Sequence, residues 1–459
     1  MRKFFLFICC SLISIHLFAQ TGFTKFFSFS KFSTADRVIQ TSDSGFMVCG
    51  STRDTSNTFF WKIFLLKLDK NGDSLWSKVY GPFSAPKIIG IVQFQSGEFV
   101  IGFDTHVSGY DNYLNFLKTD ESGDSLFYVP ADTTFLGGKM RMGKSENIYV
   151  SGSRGWYDYY WNFYSIPLLR KYDKNLQLMW ETQLKTDQSG SPSYANDLLL
   201  DNFERITVSG NFTVAPFGPI INELDSSGTV TWYINGSDIA SLGCIGTEVI
   251  IGETNGGIIF STGVPYSSNR LLTNLDSLHS LLWQQDLYFH PVFFHQWDNK
   301  KISMVDYNFR VMNISESGDS IDLNDDYALD SSSTSDVARC FDETLIAVGN
   351  NCWYCTNHRE AYVVKFQPSV VGIEEIHSNS EYAAIHTFPN PSGKNIALSF
   401  SSAVNNICLF STSGKLLQEF GGFHKSKFDL DVSNLSSGMY FISATSGDNT
   451  YRGKILVVH

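Results

Sequence analysis

The segment KLDKNGDSLW, residues 67–76, decides the fold because its pattern returns along the chain. An apolar run leads into an acidic turn that contains glycine, and an aromatic residue follows the turn. The pattern recurs as KTDESGDSLF at 118–127, KYDKNLQLMW at 171–180, ELDSSGTVTW at 223–232 and, in a shorter form, NISESGDSI at 313–321. The aromatic residues that close five copies are spaced by 51, 53, 52 and 51 residues: Trp76, Phe127, Trp180, Trp232 and Trp283. The chain therefore contains a structural repeat of about fifty residues.

The turn at the centre of each copy has the chemistry of a β-hairpin. Glycine supplies the positive φ that closes such a turn, and the preceding aspartate or asparagine tolerates it. The closing aromatic residue is expected to pack across the strand pair. Asp69, Asn71 and Asp73 also suggest a calcium loop, but their spacing does not place glycine at position six of an EF-hand. The sequence therefore favours turn chemistry over metal binding, with the turn glycines at Gly72, Gly123, Gly228 and Gly318.

Each copy is predicted to form four short strands, which in the first copy are roughly 37–41, 45–51, 61–68 and 74–80. Aromatic residues make up 15% of the chain and charged residues 17%, a composition that favours β-sheet. A second recurring strand gives seven copies in all, at 46–50, 98–102, 148–152, 206–210, 248–252, 302–306 and 345–349. Four-stranded units at this period predict an all-β, seven-bladed β-propeller. An open β-solenoid or stacked sandwiches are the alternatives.

The two ends of the repeat region are predicted to meet. After 361–366 the last copy leaves without a fourth strand, whereas residues 22–30 form a strand with no blade of their own. We therefore predict that the N-terminal strand completes blade seven, so that the propeller covers residues 20–366. Closure of the ring explains why one turn recurs, since each blade must bury its apolar face against the next.

The first residues predict export. MRK is followed by an apolar run of 15 residues, FFLFICCSLISIHLF, and then by a small residue at Ala19. This pattern is typical of a secretory signal peptide, residues 1–19, cleaved after Ala19. A membrane helix is the alternative, but the run is short for a bilayer span, and no transmembrane segment is predicted elsewhere. The net charge of −12, with no basic stripe, argues against a nucleic-acid partner.

The cysteines that remain after cleavage divide into two groups. Cys49, Cys244, Cys340 and Cys408 each lie in an apolar run and are predicted to be buried core residues. Cys352 and Cys355 lie in the polar loop NNCWYCTN, where an exported chain favours a local disulfide. Half of a zinc site and a redox pair are the alternatives for this loop.

Two loops between second and third strands stand out because they are not repeated. In blade three, Gly155 is followed by five predicted ligand-binding residues: Trp156, Tyr157, Tyr159, Tyr160 and Trp161. In blade seven, Trp353 and Tyr354 lie between the two cysteines of the equivalent loop. Aromatic rings with polar groups bind sugars and proteins well, although the same rings could simply pack on neighbouring loops.

No catalytic motif accompanies these loops. The sequence has no G-x-S-x-G, no H-E-x-x-H and no phosphate loop, and His290 and His295 have poor spacing for metal ligands. We therefore predict a binding or adhesion protein without enzymatic activity, metal or cofactor, whose ligand is a glycan or a protein. The alternatives are an extracellular polysaccharide hydrolase on a propeller scaffold and a purely structural surface protein.

The C-terminal region, residues 385–459, follows a linker at 367–384 and is predicted to be a small immunoglobulin-like β-sandwich. Alternating strands begin near residue 395, and the turn TSGK, which contains Gly414, joins two of them. The segment opens with Phe388, Pro389, Asn390 and Pro391. Toward its end it carries LDVSNLSSGMYFI, with Leu435, Gly438 and Tyr440, and then Lys454.

These motifs strongly resemble the C-terminal sorting domain of cargo of the bacterial type IX secretion system. The repeat phrases TSDSGFMVCGST and LLKLDKNGDSLW also resemble propeller-like repeats in exported proteins of such bacteria. In that family the sorting domain directs passage across the outer membrane and is then usually removed. The resemblance thus implies the type IX machinery as a partner and a mature protein that is attached to the cell surface or released. An ordinary immunoglobulin-like binding domain is the alternative.

Overall fold

The structure is a computed structural model, and it describes the chain from residue 22 to residue 458 with gaps. The segments outside the described part are 1–21, 54–59, 107–111, 133–134, 158–162, 187–192, 202–203, 213–217, 235–248, 255–256, 264–269, 298–300, 316, 325–331, 352–357, 367–382, 391, 412–415, 447–448 and 459. All regular secondary structure in the described residues is β-strand. The chain forms two compact units, residues 1–370 and 371–459.

The larger unit consists of seven four-stranded antiparallel sheets, which we number as blades 1 to 7. Blade 1 contains β2 (Phe32–Gln40), β3 (Phe46–Arg53), β4 (Phe60–Leu68) and β5 (Ser74–Ser84). Blade 2 contains β6 (Lys87–Gln93), β7 (Phe99–His106), β8 (Asn112–Thr119) and β9 (Ser125–Asp132). Blade 3 contains β10 (Phe135–Met142), β11 (Ile148–Tyr157), β12 (Phe163–Tyr172) and β13 (Leu178–Gln183). Blade 4 contains β14 (Ser193–Leu200), β15 (Ile206–Phe212), β16 (Pro219–Leu224) and β17 (Val230–Tyr233).

The remaining blades follow the same order. Blade 5 contains β18 (Val249–Thr254), β19 (Gly257–Gly263), β20 (Arg270–Leu275) and β21 (Leu281–Leu287). Blade 6 contains β22 (Pro291–Gln296), β23 (Ile302–Asp306), β24 (Val311–Ile314) and β25 (Ser320–Asn324). Blade 7 contains β26 (Ser333–Arg339), β27 (Leu345–Asn350), β28 (Ala361–Phe366) and the N-terminal strand β1 (Phe23–Phe27).

The ring closes through β1. This strand pairs antiparallel with β28, from Phe23 opposite Lys365 to Phe27 opposite Ala361. Phe23 and Phe27 pack on a core shared by blades 7 and 1. The first strands of successive blades lie side by side all the way round, and β26 of the last blade lies beside β2 of the first. The larger unit is therefore a closed β-propeller with seven blades, as the repeat predicts.

The first strand of each blade lines the centre of the ring, and most of these strands carry a β-bulge. Six of the seven first strands shift register near their midpoint, and β18 is the exception within the described residues. A bulge adds one residue and bends the strand. It brings backbone close to the recurring glycine of the second strand. A Cβ at Gly210 would lie 1.8 Å from the Tyr194 carbonyl oxygen, and one at Gly349 would lie 1.8 Å from that of Ser333.

The repeated turns have the predicted hairpin chemistry. The four turn glycines all have positive φ, between 81° and 92°. In the first turn, Asp69 Oδ1 accepts hydrogen bonds from the backbone N–H groups of Asn71 and Asp73, both at 2.8 Å. These backbone N–H groups, with that of Asp73 contributing most, lower the pKa of Asp69 below its usual range. The aspartate therefore closes the turn itself, and no group of metal-binding side chains occurs among the described residues.

The closing aromatic residue of one blade rests on the turn of the next blade. It lies opposite the third strand of its own blade, as in the pair Lys67 and Trp76. Trp76 also covers Gly123 of blade 2, where a Cβ would lie 2.6 Å from the indole ring. The same relation joins Trp180 to Gly228, Trp283 to Gly318 and, across the ring closure, Phe23 to Gly72. The recurring turn is thus part of the interface between blades.

One strand that the sequence pattern predicts has a different place in its blade. The repeat predicts residues 248–252 as a second strand, but Val249–Thr254 is the first strand of blade 5 and Gly257–Gly263 is the second. An apolar run alone does not tell one strand of a blade from another. The turn signal TNGG before Ile258, which resembles SDSG before Phe46, marks the second strand correctly.

The burial of the cysteines differs from the prediction at one position. Cys49 and Cys340 are buried and unpaired, whereas Cys408 is only half-buried, so its predicted full burial was wrong. Cys408 lies on a strand whose side chains alternate between core and surface, and its neighbours Ile407 and Leu409 face the core instead. Cys244, Cys352 and Cys355 lie outside the described residues.

The smaller unit is a separate β structure. Its strands are β29 (Ala383–Ala384), β30 (His386–Phe388), β31 (Asn395–Ser411), β32 (Leu416–Asp431), β33 (Gly438–Ser446) and β34 (Asn449–Val457). β31 and β32 form a long hairpin with register shifts after Ser399 and Val404. Beyond these shifts β31 changes its second partner from β30 to β33. Side chains from both halves, including Leu398 and Ile442, meet in one core.

Candidate functional site

The loops between second and third strands open on one face of the propeller, which we call the loop face. The turns between first and second strands and between third and fourth strands lie on the opposite hairpin face. Trp156 and Tyr157 reach the loop face as the last residues of β11 rather than as loop residues. The strand continues because both residues pair with β12, opposite Tyr164 and Phe163. The other predicted binding residues of this face lie outside the described part: Tyr159, Tyr160, Trp161, Trp353 and Tyr354.

Trp156 forms an exposed aromatic platform with Tyr164. Their ring centroids are 5.8 Å apart, the ring planes differ by 17°, and 47% of Trp156 remains exposed. Charged groups lie further along the same sheet, where the Glu181 carboxylate accepts hydrogen bonds from Arg154 at 2.7 Å and from Arg170 at 2.8 Å. Offset-stacked rings with an exposed surface offer apolar contact at a low entropy cost. The arrangement suits a ligand that stacks on the indole.

The loop face also carries aromatic residues that the sequence pattern does not single out. The Arg53 guanidinium lies between two rings of blade 1, at 4.6 Å from the centroid of Phe32 and 4.9 Å from that of Trp61. Tyr288 follows β21 and is 81% exposed. Tyr307 lies in the loop between β23 and β24 and is also exposed. These residues are scattered along the chain, so only the ring brings them to one face.

Charged residues from different blades meet at the centre of the ring. Lys139 Nζ of blade 3 lies 2.9 Å from Asp336 Oδ1 of blade 7. The lysine and aspartate side chains are 15% and 4% exposed. Asp336 Oδ2 also accepts a hydrogen bond from the Val38 N–H of blade 1 at 3.2 Å. Although burial raises the pKa of Asp336, the Lys139, Arg37 and Arg141 charges lower it below the usual range.

Two further carboxyl groups of this region have raised pKa values. Burial raises the pKa of Asp36 to about 6, against the effect of the neighbouring Arg37 charge. Burial raises the pKa of Asp104 to about 7, although Lys87 and the Gly137 N–H favour its ionised form. The Gly137 N–H donates to both oxygens of Asp104, at 3.1 and 3.0 Å. Asp336 is therefore ionised, whereas Asp36 and Asp104 have pKa values near neutral pH.

Asn390 explains the opening motif of the C-terminal unit. Its Oδ1 accepts a hydrogen bond from the Leu456 N–H at 2.8 Å, and its Nδ2 donates to the Lys454 carbonyl oxygen at 3.2 Å. Ser392 continues the pairing, because its N–H donates to the Leu456 carbonyl and its own carbonyl accepts from Val458. The asparagine side chain thus binds the last strand as a neighbouring backbone would.

The other residues of the sorting-domain motif lie in different parts of the smaller unit. Leu435 packs on the core of the unit, and Tyr440 donates from its hydroxyl to the Ser436 carbonyl at 2.7 Å. Gly438 begins β33 and Lys454 is exposed on β34. Pro389 is exposed after β30, whereas Pro391 and Gly414 lie outside the described residues.

Replacing Asn390 with alanine is expected to loosen the last strand. The Leu456 N–H would lose its acceptor, at a cost of about 1 kcal/mol, so its protection from hydrogen exchange should fall about fivefold. Hydrogen exchange of the full chain, resolved at residues 455–458, measures this effect. Asn405→Ala removes a surface contact to His424 and serves as the control. Equal protection in the two variants would contradict the role given to Asn390.

The closed ring of seven four-stranded sheets makes the larger unit a β-propeller. The smaller unit is identified by its sequence family, since residues 386–458 match the secretion system C-terminal sorting domain. The protein is accordingly a propeller exported by type IX secretion, either to the cell surface or into the medium. A comparison with curated proteins found no match. Within the described part, no helix is long and apolar enough to cross a membrane.

Solved structures with similar arrangements share little sequence with the chain. A protein of unknown function from Dyadobacter fermentans DSM 18053 is 11% identical, with 73% of this chain and 95% of that chain covered and a TM-score of 0.41. BamB from Moraxella catarrhalis is 8% identical, with coverage of 72% and 97% and a TM-score of 0.38. PorZ, a surface component of the type IX secretion system of Porphyromonas gingivalis, is 9% identical, with coverage of 93% and 81% and a TM-score of 0.27. At these scores the fold assignment rests on the strand pairing itself.

Proposed function

We propose that the propeller is a non-catalytic binding module, displayed on the cell surface or released, which holds a glycan on its loop face. The observation that carries this proposal is the exposed stack of Trp156 on Tyr164. A sugar ring presents an apolar face that an indole can cover, and its hydroxyl groups can reach the polar side chains around it. Export supports the proposal, because extracellular glycans are then within reach.

The other exposed aromatic residues of the loop face give the ligand room to extend. Tyr288 and Tyr307 belong to blades 5 and 6, and the half-buried Trp61 to blade 1, so an extended chain would meet aromatic rings in several directions. A protein ligand would use the same rings as anchors. A glycan fits the platform better than a protein does, because the platform is a flat, rigid ring pair rather than an apolar pocket.

A second function, hydrolysis of a polysaccharide at the centre of the ring, is favoured by one observation. Asp36 and Asp336 lie on the first strands of the adjacent blades 1 and 7, and the first has a raised pKa and the second a lowered one, as a general acid and an ionised carboxylate would. Binding remains the first proposal because Asp336 is already engaged by Lys139 and the Val38 N–H. A purely structural surface protein would show neither activity.

Replacing Trp156 with alanine should weaken glycan binding about tenfold or more, since it removes the stacking surface. The free energy of unfolding should fall by about 1–2 kcal/mol, because about half of the residue is buried and its ring stacks on Tyr164. Binding and release of reducing ends are measured together on a polysaccharide panel, with the full chain lacking residues 1–19.

The control is Phe341→Ala, which removes an exposed ring from the hairpin face. Equal binding by the Trp156→Ala variant and the wild type would refute a glycan site at this platform. Binding of extracellular proteins alone, lost in the same variant, would make the ligand a protein. Release of reducing ends by the wild type would instead support hydrolysis.

A further inference from the structure

The turns between first and second strands, on the hairpin face, join neighbouring blades through one recurrent position. This position has positive φ and is held by Ser44, Gly97, Glu146, Glu204 and Glu343 in blades 1, 2, 3, 4 and 7. Glu146 Oε1 accepts a hydrogen bond from the Gln95 N–H of the preceding blade at 2.6 Å. Glu204 Oε1 similarly accepts from Ser145, at 3.2 Å from its N–H and 2.8 Å from its hydroxyl. In both junctions a glutamate side chain spans the gap between two turns.

The junction between blades 1 and 2 lacks this side chain, because Gly97 occupies the position with a φ of 89°. The two turns are joined instead by Gln93 Oε1, which accepts from the Ser42 N–H at 3.0 Å. A Cβ at Gly97 would meet only the Glu121 side chain, at 3.2 Å. The space is left as a cavity of about 450 Å³, within the size range of small-molecule sites.

The cavity combines a small apolar wall with many hydrogen-bonding groups. Leu75, which is 59% exposed, and Trp76 form the wall, and Phe99 lies at its buried end. The polar residues that line the cavity include Gln93, Gln95, Ser96 and Glu121. In the part of the chain that the structure describes, the side-chain amide of Gln95 and the exposed carboxylate of Glu121 have no protein hydrogen-bonding partner.

The charges in the cavity disfavour an anionic ligand. Lys67 Nζ lies 2.8 Å from Asp43 Oδ2, so these two charges offset each other. Partial burial opposes ionisation of Asp43, but the Lys67, Thr41 and Gly45 hydrogen bonds lower its pKa to about 2. Glu121 is then the remaining charge, and it would repel an anion. An apolar ligand would leave the polar side chains that line the cavity without partners, at a cost in free energy.

We propose that the junction between blades 1 and 2 is a second binding site, for a neutral saccharide unit. Carboxylate and amide oxygens accept from sugar hydroxyls, amide and serine groups donate to them, and the Leu75–Trp76 wall covers an apolar face of the ring. The site lies on the face opposite Trp156 and does not depend on the function proposed for that platform.

The proposal is tested by filling the cavity with a side chain of the same shape as the glutamates at two other junctions. Gly97→Gln places an uncharged side chain of glutamate's shape at a position where Glu146 and Glu204 have a φ of 58° and Gly97 has a φ of 89°. The backbone strain is expected to cost about 1–2 kcal/mol. Glu121→Gln removes the unpaired carboxylate, and Lys174→Gln, at the equivalent turn position of blade 3, is the matched control.

All variants are made in the Trp156→Ala background of the full chain lacking residues 1–19, so that the loop-face platform contributes nothing. Cellobiose, maltose and lactose are the probes, and saturation-transfer NMR titrations give Kd. We expect binding in the background variant, at least tenfold weaker binding with Gly97→Gln, several-fold weaker binding with Glu121→Gln, and no change with Lys174→Gln.

Two outcomes would overturn the proposal: no binding of any probe by the folded background variant, or unchanged binding after Gly97→Gln. Urea unfolding of each variant shows that a loss of binding does not come from loss of the fold. Failure of this site leaves the Trp156 platform untouched, because that platform is tested separately with the tryptophan in place.

Discussion

Replacing Lys139 with methionine is expected to destabilise the propeller by about 3 kcal/mol at neutral pH. Lys139 makes the ion pair that joins blade 3 to blade 7 across the centre of the ring. Without it, Asp336 keeps its hydrogen bond from Val38 but loses its direct cationic partner while remaining buried. Arg37 and Arg141 still act on Asp336 at longer range. The expected loss of stability is therefore at the low end of the range for breaking a buried ion pair.

The same substitution should reverse the effect of pH. In the wild type the folded-state pKa of Asp336 lies below the unfolded value of about 3.9, so its contribution to stability is present above that pH. The contribution is lost as pH falls through the folded-state pKa. Without Lys139 the burial of Asp336 should raise its pKa above the unfolded value. The variant should then lose stability as pH rises.

Urea unfolding between pH 4 and 8 measures both effects. The double variant Lys139→Met with Asp336→Asn removes both charges and should recover most of the lost stability, because no buried charge remains. A Lys139→Met variant as stable as the wild type at pH 7 would mean that the pair contributes nothing to ring closure.

Replacing Gly210 with alanine is expected to cost about 3 kcal/mol or more, at the upper end for over-packing. The new methyl group would lie 1.8 Å from the carbonyl oxygen of Tyr194, on the bulged first strand of blade 4. Backbone cannot swing aside as a side-chain end can, so the two strands would have to separate. The bulge and the glycine therefore depend on each other.

Gly102→Ala, on the second strand of blade 2, is the control, and it lies one register position nearer the hairpin turn than Gly210 does. A Cβ at Gly102 would meet the Met140 Sδ at 2.8 Å, which is the flexible end of a side chain. A cost of about 1 kcal/mol is expected there. Thermal and urea unfolding compare the two variants, and equal losses would show that close backbone approach is not what selects glycine at 210.

The differences between the sequence-based expectations and the structure have physical causes. The period of the repeat and the residues of its turns show where a hairpin lies. An apolar run such as VIIG at 249–252, however, is compatible with any strand of a blade. The sequence predicts Trp156 and Tyr157 in a loop, because a run of aromatic residues does not show where strand pairing ends. Half of the alternating residues of a strand face away from the core, which is why Cys408 is only half-buried.

The seven repeats, the hairpin turn at the centre of most of them, the export domain and the strand without a blade of its own could all be predicted from the sequence. These features are local, because each depends on only a few neighbouring residues. Examples are a glycine with positive φ, an aspartate that closes its own turn, and the alternation of apolar and polar residues along a strand. The contacts across the ring, in contrast, depend on the tertiary structure. Lys139 and Asp336 are 197 positions apart, and Gly97 leaves a cavity only because the neighbouring blades stand on either side of it. Such contacts depend on how blades curve into a closed circle, and no short stretch of sequence carries that information.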